Sequence, residues 1–168
     1  MMAETPTVPS APAPIAAANN GKGTSVLILT LVAGFLSVAI GGCTASFVGG
    51  IADMGDSISD FQRELGEHGD ASSTRNDAAE LREQAGAHAF YGVLQAIVSI
   101  AGGVFAYRNY GSAATRIIAG RSFKELTLAA SAIAVAALLT TTNTFAFFTA
   151  GILNTVAAVL TFLQAKKV

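Results

Sequence analysis

TSVLILTLVAGFLSVAIGGCTASFVGGIA, residues 24–52, runs for about 29 positions without a charged side chain. An α-helix needs roughly 20 apolar residues to cross the hydrocarbon of a bilayer, so this stretch reads as a transmembrane helix. Small residues recur in it at helical spacing, with Ser37, Gly41, Ala45 and Gly49 on one stripe and Gly42, Ser46 and Gly50 on the next. In lipid, apolar bulk gives helices no net drive to associate, whereas small side chains let backbones approach closely. These stripes are therefore expected to be the helix-packing face.

The composition of the whole chain agrees with that reading. Of 168 residues, 52% are hydrophobic and 12% charged, with a mean hydropathy of +0.53. A water-soluble domain needs more surface charge than this. The net charge of −1 lacks the excess of clustered Lys and Arg that binds nucleic acid. Cys43 is the single cysteine, which excludes an intramolecular disulfide and an all-cysteine metal site.

C-terminal to the first span the character changes. Residues 53–83 carry nine carboxylates against three arginines, which places this segment in water. Met54, Ile58, Phe61 and Leu65 nevertheless fall at i, i+4, i+7 and i+11, the spacing of one apolar helical face. The first helix is thus expected to continue out of the membrane. Gly66 and the run Gly69-Asp70-Ala71-Ser72-Ser73 are expected to break it, and Thr74-Arg75-Asn76-Asp77 has the form of a capping box opening a new helix. Residues 53–85 are read as a polar helical hairpin outside the bilayer.

A second span follows at about 86–109, free of charge from Gln84 to Tyr107. Its packing positions are Gly92 with Ala96 and Ser99 with Gly103, and Phe90, Tyr91, Tyr107 and Tyr110 mark its interfaces. The next connection carries Arg108, Arg116, Arg121 and Lys124, a basic cluster suited to lipid headgroups. The uncharged stretch between Glu125 and Lys166 is about twice the length one span requires. Divided at Thr140-Thr141-Thr142-Asn143-Thr144, it gives spans at about 122–141 and 145–165. Residues 1–23, with Pro6, Pro9, Pro12 and Pro14, are read as a disordered cytoplasmic tail.

Counting basic residues fixes an orientation. With the N-terminus, the Arg108–Lys124 connection and Lys166-Lys167 on one side, that side holds seven Lys or Arg, and the acidic hairpin holds the other three. The sequence thus predicts an all-α polytopic membrane protein with four transmembrane helices, N-in and C-in, in the bacterial inner membrane.

Reaction chemistry finds little purchase. A bis-histidine haem needs two imidazoles facing one another within the bilayer, and His68 lies in the hairpin, so no cofactor is expected. The hairpin carboxylates lack the order of a calcium-binding loop and an apolar pocket to raise a pKa. Cys43 has no ionisable neighbour in its helix to activate it. Ile40-Gly41-Gly42-Cys43 fits a lipoprotein cleavage site, but the apolar run continues past the cysteine through Phe47, Val48 and Ile51. The intramembrane polar residues Gln95, Ser99 and Asn154 are uncharged and suit interhelical hydrogen bonds, or the lining of a pore between copies.

This layout ends in Ala150-Gly151-Ile152-Leu153, Val156 to Leu163 and Lys166-Lys167. It resembles small bacterial four-helix membrane proteins known only as domains of unknown function. The resemblance covers the arrangement of nearly the whole chain and implies fold and location, with no activity. The expected role is a non-enzymatic structural or accessory subunit of a membrane complex, or a homo-oligomer. The alternatives are an oligomeric, holin-like pore, an anionic-lipid sensor, and a protein anchored through Cys43.

Overall fold

The computed structural model describes residues 20–111, 119–140 and 147–167, and these are helical almost throughout, with no strand among them. α1 (Asn20–Glu64) and α2 (His68–Gly111) form an antiparallel pair. α3 (Ala119–Leu139) packs on α2. A π-helical turn at Phe147–Gly151 leads into α4 (Ile152–Ala165), which lies against α3 and α1 and closes the bundle. At 1.5 Å rise per residue α1 and α2 are each about 65 Å long. α1 and α2 are long and apolar enough to cross a membrane, and the apolar helix Thr149–Ala165 is shorter.

Both long helices carry the polar hairpin and the apolar span as one unbroken rod. The expected start of α1 shifts from Thr24 to Asn20, which brings residues 20–23 of the expected tail into the helix. The turn at its far end follows from one glycine. Gly66 has φ +83°, the only positive φ among the described residues, and Gly66 N–H donates to Arg63 O while Glu67 N–H donates to Gln62 O. These two bonds satisfy carbonyls that the helix end leaves open.

α2 begins immediately, at His68, and the expected break over residues 69–73 with a restart at Thr74 does not occur. Thr74 Oγ1 does not cap a new helix; it donates to Asp70 O at 3.0 Å and reaches Gln62 Oε1 at 3.1 Å. Packing overrides the weak local propensity of Gly69, Ser72 and Ser73. Ala71 is buried against α1, where Ser59 Oγ donates to its carbonyl at 3.0 Å.

Ala71 opens a seam that runs the whole length of α2. Ala71, Ala78, Ala85, Gly92, Ser99 and Ala106, one residue in every seven, are all buried. A strict seven-residue repeat keeps one edge of the helix on its partner if the pair coils slightly left-handed. α1 answers with Gly34, Ser37, Gly41, Ala52 and Ser59, also buried. Where the two backbones meet, a Cβ on Gly92 would lie 2.8 Å from Ser37 O and 3.3 Å from Gly41 Cα, and one on Gly41 would lie 3.2 Å from Gly92 Cα. Gly34 sits against Ile100, Gly23 against Tyr110, and Gly102 against Ile133 of α3.

The distribution of side-chain size is the reverse of that in a soluble protein. The buried set is dominated by Ala, Ser and Thr, with Val26, Leu126 and Ile133 its only large aliphatic members among the described residues. Ile28, Leu31, Phe35, Phe90, Ile97, Leu128, Leu138 and Leu163 all point outward.

Two glycine substitutions separate the seam from the rest of α1. Gly92→Ala forces the helices apart against a backbone oxygen and is expected to cost about 1–3 kcal/mol. Gly42→Ala meets open space and is expected to leave stability unchanged or to raise it by up to about 1 kcal/mol. Equilibrium unfolding of the detergent-solubilised chain measures both.

Candidate functional site

Two constellations of polar groups stand out, one inside the bundle and one on the hairpin. The inner one lies where α1, α2 and α4 meet. Ser99 Oγ on α2 lies 3.1 Å from Thr30 O of α1 and 2.6 Å from Asn154 Oδ1 of α4. A hydroxyl carries a single proton, so Ser99 serves the two acceptors alternately and ties three helices together. Thr30 turns its own hydroxyl back onto Val26 O and Leu27 O, both at 3.0 Å. Gly103 leaves the space that Thr30 fills, since a Cβ there would overlap Thr30 Oγ1 and lie 2.7 Å from Thr30 Cβ.

Gln95 (2% exposed) and Asn154 (0%) are buried within one chain. Gln95, Ser99 and Asn154 thus face the interior of a single bundle. Gln95 Nε2 and Asn154 Nδ2 have no acceptor among the described residues. Such donors ordinarily find a protein or water acceptor.

The packing residues divide into two groups. Ser37, Gly41, Gly92, Ala96 and Gly103 lie in helix contacts, with Ala96 at 5% exposure. A Cβ added at Gly42, Gly49 or Gly50 would meet nothing within 4 Å, Ser46 is exposed and Ala45 half-buried. Among the described residues the face through Gly41 is the one that α2 occupies, and one residue along a helix is a 100° rotation, so Gly42 is turned away from it. Gly23, Gly34, Gly55 and Gly102 are close-approach positions that the stripes did not include.

On the hairpin, Arg82 Nη2 of α2 donates to Asp53 Oδ1 at 2.8 Å and to Asp56 Oδ2 at 2.5 Å, both on α1. The hydrogen bond that Arg82 donates to Asp53, and then that to Asp56, hold its guanidinium above its ordinary pKa. A raised pKa contributes stability that is complete below the ordinary guanidinium range and lost only as pH rises through the raised value. The clamp therefore does not open on the alkaline side of neutrality. Among the described residues, no three of His, Cys, Asp and Glu converge as a metal site would require.

The opposite end of the bundle is basic. Lys22, Tyr110, Leu160, Leu163, Gln164 and Lys167 line a cleft of about 280 Å³ between α1, α2 and α4. Tyr110 OH donates to Leu160 O at 3.1 Å and holds this end together. Arg108, Arg121 and Lys124 are exposed, with Arg121 paired to Glu125 at 2.8 Å. Arg116, like most of the Thr140–Thr144 turn, lies outside the described residues. Cys43 is exposed on a helix that continues unbroken through it. No protein family, curated protein or solved structure matches the chain.

The interlocked pair Gly103 and Thr30 gives a double-mutant test. Gly103→Ala alone is expected to destabilise strongly, while Gly103→Ala with Thr30→Gly removes every colliding atom and recovers most of the loss. A coupling energy of about 1–3 kcal/mol is expected, read by unfolding in detergent. On the hairpin, Arg82→Gln is expected to speed amide hydrogen exchange over residues 53–83 and to leave residues 92–106 as they were.

Proposed function

We propose that the chain belongs to the class of integral membrane proteins that build structure and perform no chemistry: a four-span bundle with both ends on the same side. Within that class it acts as an accessory or scaffolding subunit of a bacterial cytoplasmic-membrane assembly. The observation that carries the reading is the reversed core, with Ala, Ser and Thr inside and Ile, Leu, Val and Phe outside. Water would penalise that surface heavily, whereas lipid accepts it.

Charge along the bundle axis supports the orientation. Lys22, Arg108, Arg121, Lys124, Lys166 and Lys167 gather at the end where α1 begins and α4 finishes, and the hairpin carboxylates lie at the other. The basic end faces the cytoplasm under the positive-inside rule. α3, of 21 residues, and the rod from Phe147 to Ala165 each reach about 28–32 Å, enough to complete two further crossings. A second role, contact with anionic headgroups, is favoured by the cleft between Lys22 and Lys167.

The test is made on membrane vesicles. The chain should stay in the pellet after alkaline carbonate. An impermeant maleimide should label a cysteine at Asp70 from outside the cell and one at Lys166 only after the membrane is opened, both in a Cys43→Ser background. Labelling of both positions from the same side would overturn the topology.

A further inference from the structure

The outer half of α1 presents a face that nothing among the described residues covers. Phe47, Ile51, Met54, Ile58, Phe61 and Leu65 are 71%, 39%, 60%, 46%, 61% and 61% exposed. Their spacing alternates four and three residues without a slip. This is the a/d repeat of a coiled coil, whose seam buries side chains only against another helix. α2 does not supply that helix, because it packs on a different edge of α1, through Ala52, Gly55 and Ser59.

Most of the stripe stands in the acidic hairpin, where water makes four large apolar side chains in a row costly. Toward the apolar span the same edge continues through Thr44 and Ile40, while Gly42, Ser46 and Gly50 lie on a neighbouring edge that is also open. Large apolar groups drive helix association in water and small ones permit it in lipid. Water thus favours a neighbouring helix along the outer part of this face, where its large apolar residues stand.

We propose that the occupant is the same face of a second copy, forming a parallel α1–α1 homodimer; this rests on the membrane reading above, because a bilayer gives every copy the same orientation. With Ile51, Ile58 and Leu65 at a and Phe47, Met54 and Phe61 at d, the flanking positions are Cys43, Gly50 and Ser57 at g and Val48, Gly55 and Gln62 at e, the edge on which Gly55 and Gln62 also meet α2. No pair brings like charges together, and the acids Asp53, Asp56 and Asp60 fall off the seam. Covering the six side chains removes roughly 650 Å² per chain, or about 1,300 Å² for the pair, which exceeds the threshold of about 1,000 Å² for a specific interface.

The test uses the full-length chain in membrane vesicles and in lipid nanodiscs. In a Cys43→Ser background, Met54→Cys and Phe61→Cys should each give a disulfide-linked dimer on mild oxidation, while Glu80→Cys on the outer face of α2 should not. Adding Ile58→Glu should abolish the Phe61→Cys cross-link. The unmodified chain in nanodiscs should have a protein mass twice 17.0 kDa. A monomer mass overturns the proposal, as do cross-linking at Glu80→Cys equal to that at the seam and seam adducts of another protein's mass. Carbonate extraction of the same vesicles separates the two readings: a pelleted chain without seam cross-links sinks the dimer alone, and a released chain sinks the membrane reading as well.

Discussion

The bundle depends on a backbone-to-backbone contact. Where α1 crosses α2 at Ser37, Gly41 and Gly92, no side chain stands between the two helices. At that separation the main-chain atoms themselves supply the dispersion contacts, each small and favourable in sum. The contact fixes the interaxial distance for the rest of the pair. It brings Ser99 within hydrogen-bonding distance of Thr30 O and Ser59 within reach of Ala71 O. A wider crossing would separate both.

The polar groups inside follow from the same constraint. With helices this close, there is room for Ala, Ser and Thr and for few large side chains. Serine and threonine can satisfy their hydroxyls on carbonyls of their own helix, as Ser37 does on Ala33 O at 2.7 Å and Thr161 on Ala157 O at 2.8 Å. Hydrogen bonds between helices in membrane proteins average about 0.6 kcal/mol, so Ser99 and Asn154 fix register more than they add strength. Packing of small residues carries most of the stability.

The helical class and the two long apolar segments were legible in the sequence because each rests on a long periodic stretch. The choice of face was harder. Gly41 and Gly42 are equivalent in composition, and only the partner helix decides which of them meets a backbone. A signal was present in α2, where Ala71, Ala78, Ala85, Gly92, Ser99 and Ala106 recur at an unbroken interval of seven across the boundary between polar and apolar sequence. Reading the hairpin and the span as separate segments concealed it, and led Gly69 and Ser72 to be taken as a break. The role of Gly103 was legible only as a small residue, since its partner Thr30 is 73 positions away along the chain. The Arg82 clamp was hidden for a related reason: the hairpin offers many acids to few arginines, and pairing depends on which edge of α1 faces α2.

The absence of a joint in α1 between its apolar and polar halves has a mechanical consequence. The helix extends about 35 Å from the Gly41 crossing to its outer tip and about 30 Å to its inner end. Because α2 grips it on both sides of that crossing, through Ser99 on one arm and through Ala71 and Arg82 on the other, the two arms form one stiff rod. A displacement at Leu65 is carried along the whole helix toward Lys22 rather than absorbed at a bend between them.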